Sequence, residues 1–147
     1  MSDTDQNAKD AFDSGLYCAE AVLTVIAQKE GVESELLPRI ATGFCSGMAR
    51  TCGTCGAVTG GVLALNMVYG RNGSNDSVEQ NYSAVQKFVD LFGKEFGSVN
   101  CQELLGCDLG TEIGQKLFEE EQLHNRCREF AGRASELVIH VIEREKP

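Results

Sequence analysis

Four stretches of the chain repeat apolar residues at spacings of three and four, and proline stands only at positions 38 and 147. That spacing puts the apolar side chains on one face of a helix, because a helical turn takes 3.6 residues. The first stretch, around Leu16 to Lys29, aligns Cys18, Val22, Val25 and Ile26 and stops at Gly31, a residue suited to a helix C-cap. The second aligns Val58, Val62, Leu65 and Tyr69 and ends at Gly70; the third carries Val78, Tyr82, Val85, Val89, Phe92 and Phe96 and closes at Gly97. The last keeps Leu123, Cys127, Phe130, Ala131, Ala134, Leu137, Val138 and Val141 on one side for about five turns. Shorter helices are predicted from about Glu33 to Ala41 and from about Thr111 to Glu120, and no alternating run marks a strand. The expected architecture is all-α: a single-domain helical bundle over residues 1–147, residues 1–9 disordered or frayed, with a Gly/Cys-rich loop leading into a central helix.

A chain of 147 residues buries roughly 70% of its unfolded surface, so it folds without disulfide staples. Its seven cysteines therefore call for a chemical explanation, and their odd number argues against a fully paired scaffold. The polar, acidic start from Met1 to Asp10 lacks a secretory signal, and no apolar run approaches the length of a membrane span. A cytoplasmic, soluble protein without membrane insertion is expected, and in a reducing cytosol close cysteine pairs serve as metal ligands or catalytic thiols. The formal charge of −9 disfavours nucleic acid and anionic membrane as partners and is read as a solvated acidic surface. Phosphate-binding loops, paired-histidine zinc helices and serine–histidine–acid arrangements are missing, which leaves hydrolases and nucleotide enzymes without support.

Between Thr42 and Gly61 the chain reads TGFCSGMARTCGTCGAVTGG, with six glycines and three cysteines. Glycine permits positive φ and close backbone approach, which suits a segment that presents thiols or wraps a small group. Cys55 opens the helix of Val58 and Val62, where unpaired amides and the helix dipole favour thiolate, and Arg50 adds to this if the loop folds back. Cys101 follows Asn100, a good N-cap, and shares that setting. Cys18 and Cys127 sit on apolar stripes, where each alone reads as a small hydrophobe; two inward cysteines and two at helix starts nevertheless can converge on one buried point. Cys52 and Cys55 form a C-x-x-C outside any βαβ setting, and Cys101 with Cys107 is a loose second pair for zinc. Cys45 has no distinguishing feature. His124 and His140 read as surface or satisfied histidines, with His124 three residues before Cys127.

The runs Tyr17-Cys18-Ala19-Glu20-Ala21-Val22, Ala41-Thr42-Gly43-Phe44, Cys55-Gly56-Ala57-Val58-Thr59-Gly60 and Cys101-Gln102-Glu103-Leu104-Leu105-Gly106 resemble the redox-active protein family named for the pattern C…CGAxxG…C…C. The resemblance spans about Asp10 to Glu143 and places the family's four characteristic cysteines at Cys18, Cys55, Cys101 and Cys127, with Cys107 an alternative for the last. Cys45, Cys52 and Cys107 are then extras. A similar domain in split-Soret cytochromes is associated with an iron-sulfur centre; the chain has no C-x-x-C-H, so no haem is expected.

Three readings follow. The first is redox activity, by electron transfer or thiol–disulfide exchange in a thiol-dependent oxidoreductase, with Cys55 as attacking thiolate and Cys18, Cys101 or Cys127 as resolving thiol. The second holds an iron-sulfur cluster or another metal on Cys18, Cys55, Cys101 and Cys127, with Cys52 and Cys107 as extra ligands. In the third, a non-catalytic helical protein fills its core with cysteines. A redox partner of unknown kind and a homodimer are expected.

Overall fold

The computed structural model describes residues 3–145. Its elements are all helical: α1 (Asp3–Asp13), α2 (Cys18–Lys29), a 3-10 helix (Arg39–Phe44), the short segment α3 (Cys45–Arg50), α4 (Gly56–Tyr69), α5 (Glu79–Phe96), α6 (Cys101–Leu105), α7 (Glu112–Glu120) and α8 (His124–Glu145). Among the described residues the only β-type pairing is one isolated antiparallel bridge between Thr54 and Asn100. None of these helices is long and apolar enough to cross a membrane.

The apolar stripes build the core as their spacing dictates. α2 lies between α1, α4 and α8, and α8 runs on against α5. Val22, Leu23 and Ile26 of α2, Leu65 of α4, Phe88 and Phe92 of α5, and Val138, Val141 and Ile142 of α8 are fully buried, each side chain contributing about 1.5–3 kcal/mol through removal from water. Phe96 fills the space between Phe92 and Phe130, its ring 4.8 Å from the first and 5.0 Å from the second. Helix ends follow local chemistry. The Asn100 carboxamide accepts from the Glu103 amide at 3.1 Å to start α6, and the Thr111 hydroxyl accepts from the Gly114 amide at 2.9 Å to start α7. Gly97 closes α5 in the left-handed region.

Two expectations fail. Residues 3–9 are not frayed: they belong to α1, with Thr4, Asp5 and Ala8 buried. Polar contacts to α8 hold this helix. Lys9 bridges Asp5 and Glu129 at 3.1 and 3.3 Å, and Arg128 grips Asp13 through two nitrogens at 2.9 and 3.0 Å. The α-helix expected over Glu33 to Ala41 does not form. Turns lead to a 3-10 helix that starts only after Pro38, because proline lacks an amide donor and disfavours α geometry in the residue before it.

The close crossing of α2 and α4 depends on Gly60, where an added Cβ would come within 2.7 Å of the Ala19 backbone. Gly60→Ala is expected to cost about 1–3 kcal/mol, read as a lowered Tm by circular dichroism. Gly73→Ala, at a position with open space around it, should leave Tm almost unchanged.

Candidate functional site

All seven cysteines are free thiols. Four of them, Cys18, Cys55, Cys101 and Cys127, line one cavity of about 620 Å³. Each stands at the start of a helix: Cys18 is the first residue of α2, Cys55 immediately precedes α4, Cys101 is the first residue of α6, and Cys127 lies in the first turn of α8. Four helix starts thus meet at one place. Cys18, Cys55 and Cys101 are buried and Cys127 is half-buried, so Cys127 is the most open of the quartet.

Backbone stitching brings Cys55 and Cys101 to the same wall. The Cys55 amide donates to the Val99 carbonyl at 2.7 Å, the Cys101 amide to the Gly53 carbonyl at 3.0 Å, and the Asn100 side-chain amide to the Cys52 carbonyl at 2.8 Å. Above Cys101 lies α3, whose residues Ser46, Gly47, Met48 and Ala49 have φ between 57° and 63°, with Arg50 at 68°. This is a left-handed turn, a conformation that costs about 1–2 kcal/mol for each non-glycine residue. Local bonds oppose that cost: the Gly53 amide donates to the Gly47 carbonyl at 2.8 Å and the Thr51 hydroxyl to the Met48 carbonyl at 2.7 Å. Gly47 is required twice, by its positive φ and because a Cβ there would come within 2.6 Å of the Cys101 Cβ.

Cys18 and Cys127 form the most intimate pair. The Cys18 thiol donates to the Cys127 carbonyl at 3.6 Å, which sets it beside the Cys127 side chain. Donation from Cys18 stabilises the Cys127 thiolate and lowers its pKa against the opposing effect of burial. The same contact, followed by burial, raises Cys18 well above the ordinary thiol value.

The thiolate expected at Cys55 is corrected by this geometry. Burial pushes Cys55 up to about 12, although the amides of Ala57 and Val58 act in the opposite direction. Loss of water outweighs the helix start. Arg50 lines the cavity but is not among the groups that shift Cys55. Cys101, expected to resemble Cys55, does so in this sense: burial and then the charge of Cys127 take it to about 12.

The three extra cysteines do not line the cavity. Cys52 donates to the Asp108 carboxylate, which raises the thiol and lowers the acid. Cys45 is raised chiefly by burial, as is Cys107, which also feels Cys127. The two members of the C-x-x-C thus serve different surroundings. Among the described residues no three His, Cys, Asp or Glu side chains stand close enough to hold a metal ion. His124 lines the cavity, whereas His140 lies at a distant shallow depression with Lys87 and Asp90. Gln115, Glu119 and Gln122 also reach the cavity; nothing in their spacing connects them to the cysteines.

An all-helical protein with thiols gathered at helix starts is a cysteine-centred protein by construction. The family model described as "Putative redox-active protein (C_GCAxxG_C_C)" matches residues 16–141, and the chain belongs to that family. No curated protein and no solved structure matches the chain significantly.

Removing the Cys18 donor should deprive the Cys127 thiolate of its main support and raise its pKa. With peptide-resolved alkylation across pH, the Cys18→Ala variant is expected to move the midpoint of Cys127 labelling to higher pH. Cys18→Ser, which retains a donor, should move it less.

Proposed function

We propose that the protein is a dithiol–disulfide redox protein in which Cys127 is the attacking thiolate and Cys18 the resolving thiol. The observation that carries this reading is the Cys18–Cys127 contact at the wall of a cavity, where the Cys18 thiol donates to the Cys127 carbonyl at 3.6 Å; its nearness lowers the pKa of Cys127. Membership in a family described as redox-active supports the same class of chemistry. Seven unpaired thiols suit a reducing compartment such as the cytosol. The pair lies within one chain, so a second copy is not needed for the chemistry.

The step runs as follows. The Cys127 thiolate attacks one sulfur of an incoming disulfide, R–S–S–R; the S–S bond breaks and RS⁻ leaves, giving a mixed disulfide on Cys127. The leaving thiolate takes the proton from Cys18. The Cys18 thiolate then attacks the Cys127 sulfur and expels the second RS⁻, which is protonated from the solution to RSH. Counting the proton Cys127 gave up to become the thiolate, two protein thiols become one disulfide and R–S–S–R becomes two thiols. Cys55 and Cys101, held protonated by burial, keep the surroundings uncharged and do not compete for the attack.

A second reading is favoured by the convergence of four sulfurs on one cavity: an iron-sulfur cluster on Cys18, Cys55, Cys101 and Cys127, the usual number of ligands for such a centre. No three of these side chains are gathered on a single ion, whereas a cluster asks for one thiolate at each of its irons, set around a cavity.

Protein purified without oxygen and equilibrated against a graded thiol–disulfide buffer separates the two. The dithiol reading expects colourless protein that loses two titratable thiols in one transition, a transition absent from Cys127→Ser and Cys18→Ser. A brown protein with stoichiometric iron and labile sulfide would overturn it in favour of the cluster.

A further inference from the structure

We infer that the cavity beside Cys127 receives a zwitterionic amino-acid or short-peptide disulfide, its carboxylate on Arg50 and its ammonium on Glu119. This names a substrate class for the dithiol reading above and rests on it.

The cavity, at about 620 Å³, falls within the range of about 300–1,000 Å³ usual for small-molecule sites. Its lining is largely apolar but includes one arginine and one glutamate, Arg50 on α3 and Glu119 on α7. Neither is engaged in an ion pair among the described residues, whereas Arg128 and Arg133 are held by Asp13 and Glu95 and Lys116 pairs with Glu120. An unpaired charge of each sign beside a nucleophilic thiol suits a ligand that carries both. A ligand with one charge leaves the opposite group unmatched. Arg50 offers a planar fork of donors that matches a carboxylate, and the left-handed backbone of α3 carries it to the cavity. Tyr17, Ser46 and two amide side chains, Gln115 and Gln122, add to the polar lining. The Gln115 side-chain nitrogen is spent on the Leu109 carbonyl at 2.8 Å, which leaves its oxygen to accept from an amide or ammonium donor, and Gln122 can both donate and accept. Tyr17 and His124 also line the cavity.

The test measures oxidation of the Cys18–Cys127 pair in the full chain by four small disulfides: cystine (both charges), cystamine (ammonium only), dithiodipropionate (carboxylate only) and hydroxyethyl disulfide (neither). Each rate is divided by the rate with a free cysteine peptide. Cystine should exceed hydroxyethyl disulfide by about fivefold or more, the scale of partly exposed charge pairs. Arg50→Gln should remove the gain due to the carboxylate and leave cystamine unchanged, Glu119→Gln should do the converse, and Arg50→Lys should restore part of the first loss. Normalised rates agreeing within about twofold, or variants that slow all four disulfides alike, would overturn the inference while the dithiol reading stands. Failure of every disulfide to oxidise the pair would overturn both.

Discussion

The packing of α2 against α8 sets the first residue of one helix beside the first turn of the other, and there the Cys18 thiol donates to the Cys127 carbonyl beside the Cys127 sulfur. A thiolate in a buried place is unfavourable without a cation or donors to hold it. At Cys55 the backbone amides are present and still lose to desolvation. At Cys127 a neighbouring thiol supplies the missing donor and reverses the balance. Position on the chain made Cys55 the natural nucleophile; its burial opposes that, and the proposed nucleophile is Cys127.

The remainder of the site consists of devices that bring distant segments to this pair. The bridge between Thr54 and Asn100 and the bond between the Cys55 amide and Val99 tie the Gly/Cys-rich loop to the start of α6. The left-handed α3 turn lies over Cys101 and accepts strain to do so, its backbone secured by Gly53 and Thr51. Strain of this kind persists only where the surrounding structure holds it, and it collects at functional sites. Because α3 also carries Arg50 to the cavity, the same distorted segment links the thiol wall to the polar lining.

Much of the fold is legible in the sequence, since α2, α4, α5 and α8 each carry an apolar stripe whose ends are marked by Gly31, Gly70, Gly97 or the chain's own polarity. α1 is not legible in this way. Its burial involves ion pairs to Glu129 and Arg128 of α8, and the sequence does not show which distant charges will meet. The segment around Pro38 misleads in the opposite direction, because its apolar residues suggest a helix that proline prevents. Within the site, the motif residues mark the four cavity cysteines, but pKa direction depends on burial and on a contact between residues 109 positions apart. The left-handed path through Ser46, Met48 and Ala49 has no signal beyond the neighbouring glycines, as none of the three favours positive φ.

In the proposed chemistry Cys18 and Cys127, and no other two sulfurs, form the working pair. It is tested most directly by mild oxidation of the native protein, trapping of residual thiols, digestion without reduction and mass spectrometry of the linked peptides. One dominant cross-link is expected, joining the peptide of Cys18 to that of Cys127. A dominant link between Cys55 and Cys101, or between Cys52 and Cys55, with Cys18 and Cys127 both still trapped as thiols, would contradict it.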